Sequence, residues 1–126
     1  MKVNEIYAAA LSLDSTLREQ DDSLKPHVLS WVNICLQDML CTENSILLWE
    51  GKEMLRDAPQ LTSMDDEVPY HAQLVRTALP YFIAHQILKD DDNNAWASRY
   101  YDMYLHAVNE AAVMLPQDGS ETDVWR

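Results

Sequence analysis

Three aspartates and two asparagines, Asp90 to Asn94, break an apolar run without transition, and a cluster of side-chain oxygens is the raw material of a cation loop. A calcium loop of the EF-hand kind needs oxygen ligands at positions 1, 3 and 5, glycine at 6 and glutamate at 12. Asp90, Asp92 and Asn94 meet the first three requirements, but Ala95 stands at the glycine position and Tyr101 at the glutamate position. The chelate cannot close. The spacing predicts a short polar turn between two antiparallel helices instead.

Other chemistry is no better supported. Glu50 and Glu53 form an ExxE, half of the magnesium site used by all-α nucleotide pyrophosphohydrolases, but no ExxD follows and the cation would have too few oxygen ligands. His27, His71, His85 and His106 include no pair four apart and no HExxH. His85 reads as a buried, hydrogen-bonded imidazole and the other three lie on or near polar faces. Gly51 and Gly119 are isolated, so no glycine-rich loop cradles phosphate, and no serine sits in a GxSxG elbow. Cys35 and Cys41 fall in one predicted helix with Cα atoms about 9 Å apart, too far for a disulfide, and read as buried thiols. The expectation is a chain with no catalytic, cofactor or metal site.

Composition narrows the class further. Nine basic residues against 21 acidic ones give a formal charge of −12, leaving no basic stripe for a nucleic-acid backbone. With 126 residues, two glycines and 48% apolar residues, the chain suits one helical domain with a modest core. No apolar run reaches the length of a membrane span, and Glu5 and Asp14 interrupt the only stretch where a signal core would lie. The expected setting is soluble and intracellular.

Four helices are predicted. The first covers about Val3 to Leu17; the second follows a Ser23 cap, carries Pro26 in its first turn and reaches about Cys41. The third starts after Asp65, Asp66 and Glu67, with Pro69 at its entry, and is kinked where Pro80 loses its bond to the Arg76 carbonyl. The fourth runs from about Ala95 to Leu115, with Asn94 as cap and Pro116 as stop. The connection from Thr42 to Met64 is long, with "SILLWEG" short enough for a strand and "KEMLRD" a helical fragment. It folds over the bundle end or forms an arm that pairs with another subunit.

Helix four has two apolar arcs. Trp96, Ala97, Tyr100, Met103, Tyr104, Ala107, Ala111 and Met114 make a core arc, and Tyr101, Leu105, Val108 and Ala112 a second one beside it. Either this helix is central and buried on two sides, or the second arc meets a neighbouring chain. Residues 1–115 read as one domain and 116–126 as a flexible tail that ends in Val124 and Trp125, which are a frayed terminus or a docking peptide.

The succession "VNEIYAAALSLD", "WVNICLQDML", "LTSMDDEVP", "ALPYFIAHQILKDDD" and "RYYDMYLHAV" resembles the small head–tail connector (adaptor, head-completion) proteins of long-tailed double-stranded DNA phages and prophages. The resemblance covers about Val3 to Leu115 and lies in residue class rather than in fixed letters. It implies an all-α, non-enzymatic subunit that needs no cofactor. Such a subunit joins a ring beneath the portal, in the virion after assembly in the host cytoplasm. Its partners would be copies of itself and the portal and tail-completion proteins, with no sequence-specific nucleic-acid binding and no membrane. Tyr101, Leu105 and Ala112 would then join neighbours, and Val124 and Trp125 would dock on a partner. An alternative is a small acidic inhibitor or DNA mimic. The acids cluster at helix ends and turns, however, where capping accounts for them.

Overall fold

The segment around Pro80 is the centre of the molecule. A computed structural model describes residues 1–20 and 22–113, and among them the fold is all-α with six α-helices. They are α1 (Val3–Leu11), α2 (Ser15–Arg18), α3 (Lys25–Asp38), α4 (Leu40–Trp49), α5 (Leu79–Asp90) and α6 (Asn94–Val113). α5 buries Leu79, Pro80, Phe82, Ile83, Ala84, Ile87 and Leu88, and α1, α3 and α6 pack around it. Upstream of Pro80 the chain is already helical from residue 72 and widens into a π segment, Leu74–Ala78, where the Leu79 N–H reaches back five residues to the Leu74 carbonyl. A regular α-turn would press the proline ring against the carbonyl four residues earlier. The wider turn absorbs that conflict before the proline is reached.

Helix boundaries differ from the expected ones for identifiable reasons. The first predicted helix is two, because Asp14 turns extended and its carboxylate accepts the Leu17 N–H at 2.9 Å, capping α2. A 3₁₀ turn, Asp22–Leu24, leads into α3, so Leu24 rather than Ser23 stands at the cap, with Pro26 in the first turn as expected. After α3 a single non-helical residue, Met39, is followed at once by α4. The predicted strand in "SILLWEG" is therefore helix. Gly51, at φ +74°, closes it: its N–H bonds the Leu48 carbonyl at 3.0 Å and the Lys52 N–H bonds the Leu47 carbonyl at 2.8 Å, a Schellman ending. "KEMLRD" is not helical. The polar turn after α5 ends the same way, with Asp92 at φ +56° and the Asn93 N–H on the Leu88 carbonyl at 2.9 Å. Its aspartates and asparagines thus serve as a helix stop, and α6 starts with the Ala97 N–H on the Asn93 carbonyl, one residue before the predicted cap.

From Gly51 to Tyr70 the chain crosses the molecule as a non-helical strap with a turn at Ser63–Asp66. It joins no sheet beyond an isolated bridge at Glu67, so its other backbone groups need different partners. Two asparagines supply them. Asn44 binds both the N–H and the carbonyl of Leu55 (2.7 and 3.0 Å), and Asn33 binds both groups of Leu61 (2.9 and 3.0 Å). Eleven helical residues span about 16 Å, and six extended ones about 20 Å. The strap therefore runs back along α3 and α4, antiparallel to them. Its far end caps α1: the Val3 and Asn4 N–H groups bond the carbonyls of Asp66 and Met64, and Lys2 bridges to Glu67. Asp65, Asp66 and Glu67 do not cap the third helix as expected; the Asp66 carboxylate binds the Thr62 and Ser63 N–H groups, which holds its pKa below the usual carboxylate value.

Asn33→Ala should cost about 1–3 kcal/mol, because both backbone groups of Leu61 lose their partner in a half-buried place. Urea unfolding followed by circular dichroism measures it. A change within experimental error would show that the asparagine does not hold the strap.

Candidate interaction surface

The sequence from Pro26 to Trp49 contains only two acidic residues and no lysine or arginine. At about 100° per residue, Val28, Val32, Cys35, Leu36, Met39, Glu43 and Ile46 fall on one side of α3 and α4, and all are buried. Ile34, Gln37, Cys41, Ser45 and Leu48, spaced by threes and fours, fall on the opposite side and all are exposed, Ile34 at 56% and Leu48 at 63%. An outward helix face normally carries charge. This one carries a single charge, Asp38, exposed about 40° from Ile34 on the wheel. Both acids have a partner inside the molecule: Asp38 accepts the Tyr104 hydroxyl, and Glu43 is buried against His71. Shallow depressions connect the ridge to its surroundings. Met54 borders it beside Leu48, Gln60 beside Ile34, and Phe82 and Tyr101 line the opposite margin next to Ile34 and Gln37.

Of the sequence-derived contact residues, Tyr101 is exposed and shares the depression beside Ile34 and Gln37. Exposed Leu105 and half-buried Ala112 follow on the same side of α6, about one and three turns past Tyr101. Val124 and Trp125 lie outside the described residues. The predicted core arc of α6 needs correction. Ala97, Tyr100, Tyr104, Ala107 and Ala111 are buried, but Trp96 and Met103 face outward, Trp96 with the Arg99 guanidinium 4.8 Å above its ring. On the flank away from Tyr101, Met103 floors an open groove of about 720 Å³ between α6 and the helical stretch from Gln73 to Tyr81.

Ionisable groups converge around His71. Its Nδ1 lies 2.9 Å from Glu43, whose carboxylate also accepts the His71 backbone N–H at 2.9 Å, and its Nε2 lies 2.8 Å from Glu50. Glu43 is thus the acid at the start of the third helix, reached across space. Burial alone would depress the imidazole, but hydrogen bonds and charge from Glu43 and Glu50 outweigh it and hold His71 above its usual pKa. The His71 contact, followed by Lys52 at 3.3 Å, holds Glu50 below its own. Glu50 lies just past the end of α4 and Glu53 is not helical, so the ExxE is not a paired ligand set. Among the described residues no group of three or more His, Cys, Asp or Glu side chains is arranged to hold a metal ion. His85 bonds the Ala97 carbonyl at 2.9 Å, and exposed His106 pairs with Glu110 at 3.5 Å. Cys35 is buried and its thiol is pushed up by desolvation, whereas Cys41 is exposed on the ridge, contrary to expectation.

No protein family, curated protein or solved structure matches this chain. Sequence reasoning found the α6 flank but not the larger ridge beside it. The missing signal was available: an apolar run followed by Gly51 marks a helix end, and extending the helix to Trp49 brings Ile34, Cys41 and Leu48 into register.

A stability profile against pH checks the His71 cluster. A raised folded-state value means that the His71 contribution is complete below the unfolded value of about 6.5 and is lost as pH rises through the folded one. The depressed Glu50 value acts oppositely and fades as pH falls below about 4.5. The joint contribution should therefore peak between those values. His71→Ala should flatten this part of a melting-temperature profile and, by leaving Glu43 short of a partner, cost about 1–3 kcal/mol near pH 6. An unchanged profile in the variant would refute the assignment.

Proposed function

We propose that this chain is a non-enzymatic structural subunit that joins a phage head portal to the tail, as part of an oligomeric ring around the DNA channel. The observation that carries the proposal is the exposed outer face of α3 and α4, where Ile34, Gln37, Cys41, Ser45 and Leu48 are uncharged and Asp38 is the single exposed acid, in a chain whose formal charge is −12. Such a face is costly for a monomer to leave in water and suits contact with other protein. The order of sequence patterns, which resembles phage head–tail connectors, supplies the biological setting. In the finer architecture proposed with it, α1, α3, the helix from residue 72 to Asp90 and α6 are the four members of a small bundle whose third member bends near Pro80.

Within this reading Tyr101, Leu105 and Ala112 join neighbouring subunits, and the tail beyond Pro116, with Val124 and Trp125, engages the portal or a tail-completion protein. The acidic remainder of the surface favours a channel that repels DNA phosphates, so that the genome slides without adhering. No enzyme chemistry and no membrane attachment belong to the proposal. No described helix is long and apolar enough to cross a bilayer.

Leu105→Glu places a charge in the proposed subunit contact, and should lower the subunit content of assembled particles at least tenfold with the fold intact. Deleting Gln117 to Arg126 should leave the thermal transition of the purified protein unchanged and reduce its capture by portal-bearing heads. Quantitative mass spectrometry of purified particles reads both effects. Normal particles from both variants would reject the proposal.

A further inference from the structure

The two open surfaces of this molecule lie on opposite flanks of one helix. Taking Tyr101 as zero on the α6 wheel, Leu105 and Ala112 fall within about 40°, whereas Met103, Glu110 and His106 centre near 180°. The buried residues of α6 occupy the arc between the two sets. The first flank is continuous with the ridge of Ile34, Cys41 and Leu48 through the depression that Tyr101 shares with Ile34 and Gln37. The second flank is the groove of about 720 Å³, floored by Tyr81, Met103 and Ala107. One surface is a ridge bordered by shallow depressions and the other an open groove, and a single copy cannot bring them together.

We propose that the groove of one copy receives the Leu48–Met54 end of the ridge of a second copy, so that identical chains add head to tail. This inference rests on the subunit reading above and names the occupant of its second surface. Charge points to the occupant. Two chains of formal charge −12 repel over most approaches, and from Cys41 to Leu48 the ridge turns no acid outward, since Glu43 is buried. Around Met54 the exposed charges alternate as Lys52, Glu53, Arg56 and Asp57. Along the groove both signs occur as well, Arg99 against Asp102 and Glu110, with the His106 imidazole between the two acids. Leu48 and Met54 can enter the apolar floor while each sign meets its opposite at the rim. Joining different patches on opposite flanks gives a heterologous contact, which propagates to a closed ring or a filament rather than stopping at two copies.

Two single substitutions separate this geometry from every symmetric one. Leu48→Glu spoils the ridge, and Met103→Glu spoils the groove; the wild-type side chains are 63% and 41% exposed, so neither change disturbs the core. Native mass spectrometry of the full-length chain, with far-ultraviolet circular dichroism as a folding control, gives the readout. Wild type should form species larger than a dimer as concentration rises, and each variant alone should stay monomeric. Their equimolar mixture should form dimers and stop there, because each pair retains one intact ridge and one intact groove. Independently, a bis-maleimide should link Cys41 to a Thr77→Cys side chain in a ladder of covalent oligomers that Cys41→Ser abolishes. A wild type that stays monomeric, a Met103→Glu chain that assembles as wild type does, or a mixture that stays monomeric would overturn the inference. The subunit reading has its own separate failure, absence of the chain from particles, which leaves the mixing result standing.

Discussion

The strap between α4 and the third helix is the constraint from which the remaining architecture follows. About twenty residues cross the molecule without helix and with no sheet to join, and Asn33 and Asn44 substitute for the missing strand by presenting an amide to Leu61 and Leu55. Once the strap lies there, one flank of α3 and α4 is occupied and a second is committed to the core. The third has no cover. The same strap delivers the Met64 and Asp66 carbonyls to the start of α1 and sets His71 between Glu43 and Glu50. Tyr70, just before His71, anchors the turn with its hydroxyl on the Leu36 carbonyl, and burial pushes its pKa up to about 12.

Charge is distributed in a consistent way. Several carboxylates nearest the core have a hydroxyl or imidazole partner: Asp14 with Tyr100, Asp22 with Tyr7, Asp38 with Tyr104, Glu43 with His71. Burial and these acceptors push the Tyr100 and Tyr104 hydroxyls well above the usual phenol range, so they stay protonated and donate. The Tyr–Asp bonds also tie α6 to the end of α3 and the start of α2, fixing the helix on which the candidate contact residues sit. What is left outside is a mostly acidic surface with one ridge on which Asp38 is the single exposed acid. Hydrophobic contact and electrostatic repulsion then favour the same docking site, because the ridge offers apolar area with little like charge.

The long periodic elements were legible in the sequence. The 3.6-residue pattern and flanking signals placed the start of α6 within a residue, and the near-continuous apolar run through Ile83 identified the most buried helix. "SILLW" was not legible by period, since a short apolar run fits a strand and a helix alike, and only Gly51 after it distinguishes them. Asp14 looked like a polar residue within one helix because its capping role depends on the extended turn before it. The asparagine clips were harder still. A polar residue in a helix interior carries no sign of whether it faces water or a strap 28 residues downstream, as Asn33 does. Part of the candidate surface suffered likewise: Tyr101 and Leu105 stood out as surplus to one core, but the ridge required α4 to exist first.

The central claim is that the outer face of α3 and α4 is covered when the protein assembles, and Cys41 is a built-in reporter at its midpoint. The direct measurement is the alkylation rate of Cys41 as a function of protein concentration, with buried Cys35 as the internal reference. The account predicts that Cys41 reacts freely in dilute protein and is slowed at least tenfold where the chain associates, with Leu48→Glu restoring the fast rate. An alkylation rate that does not change between the dilute and associated protein would contradict it.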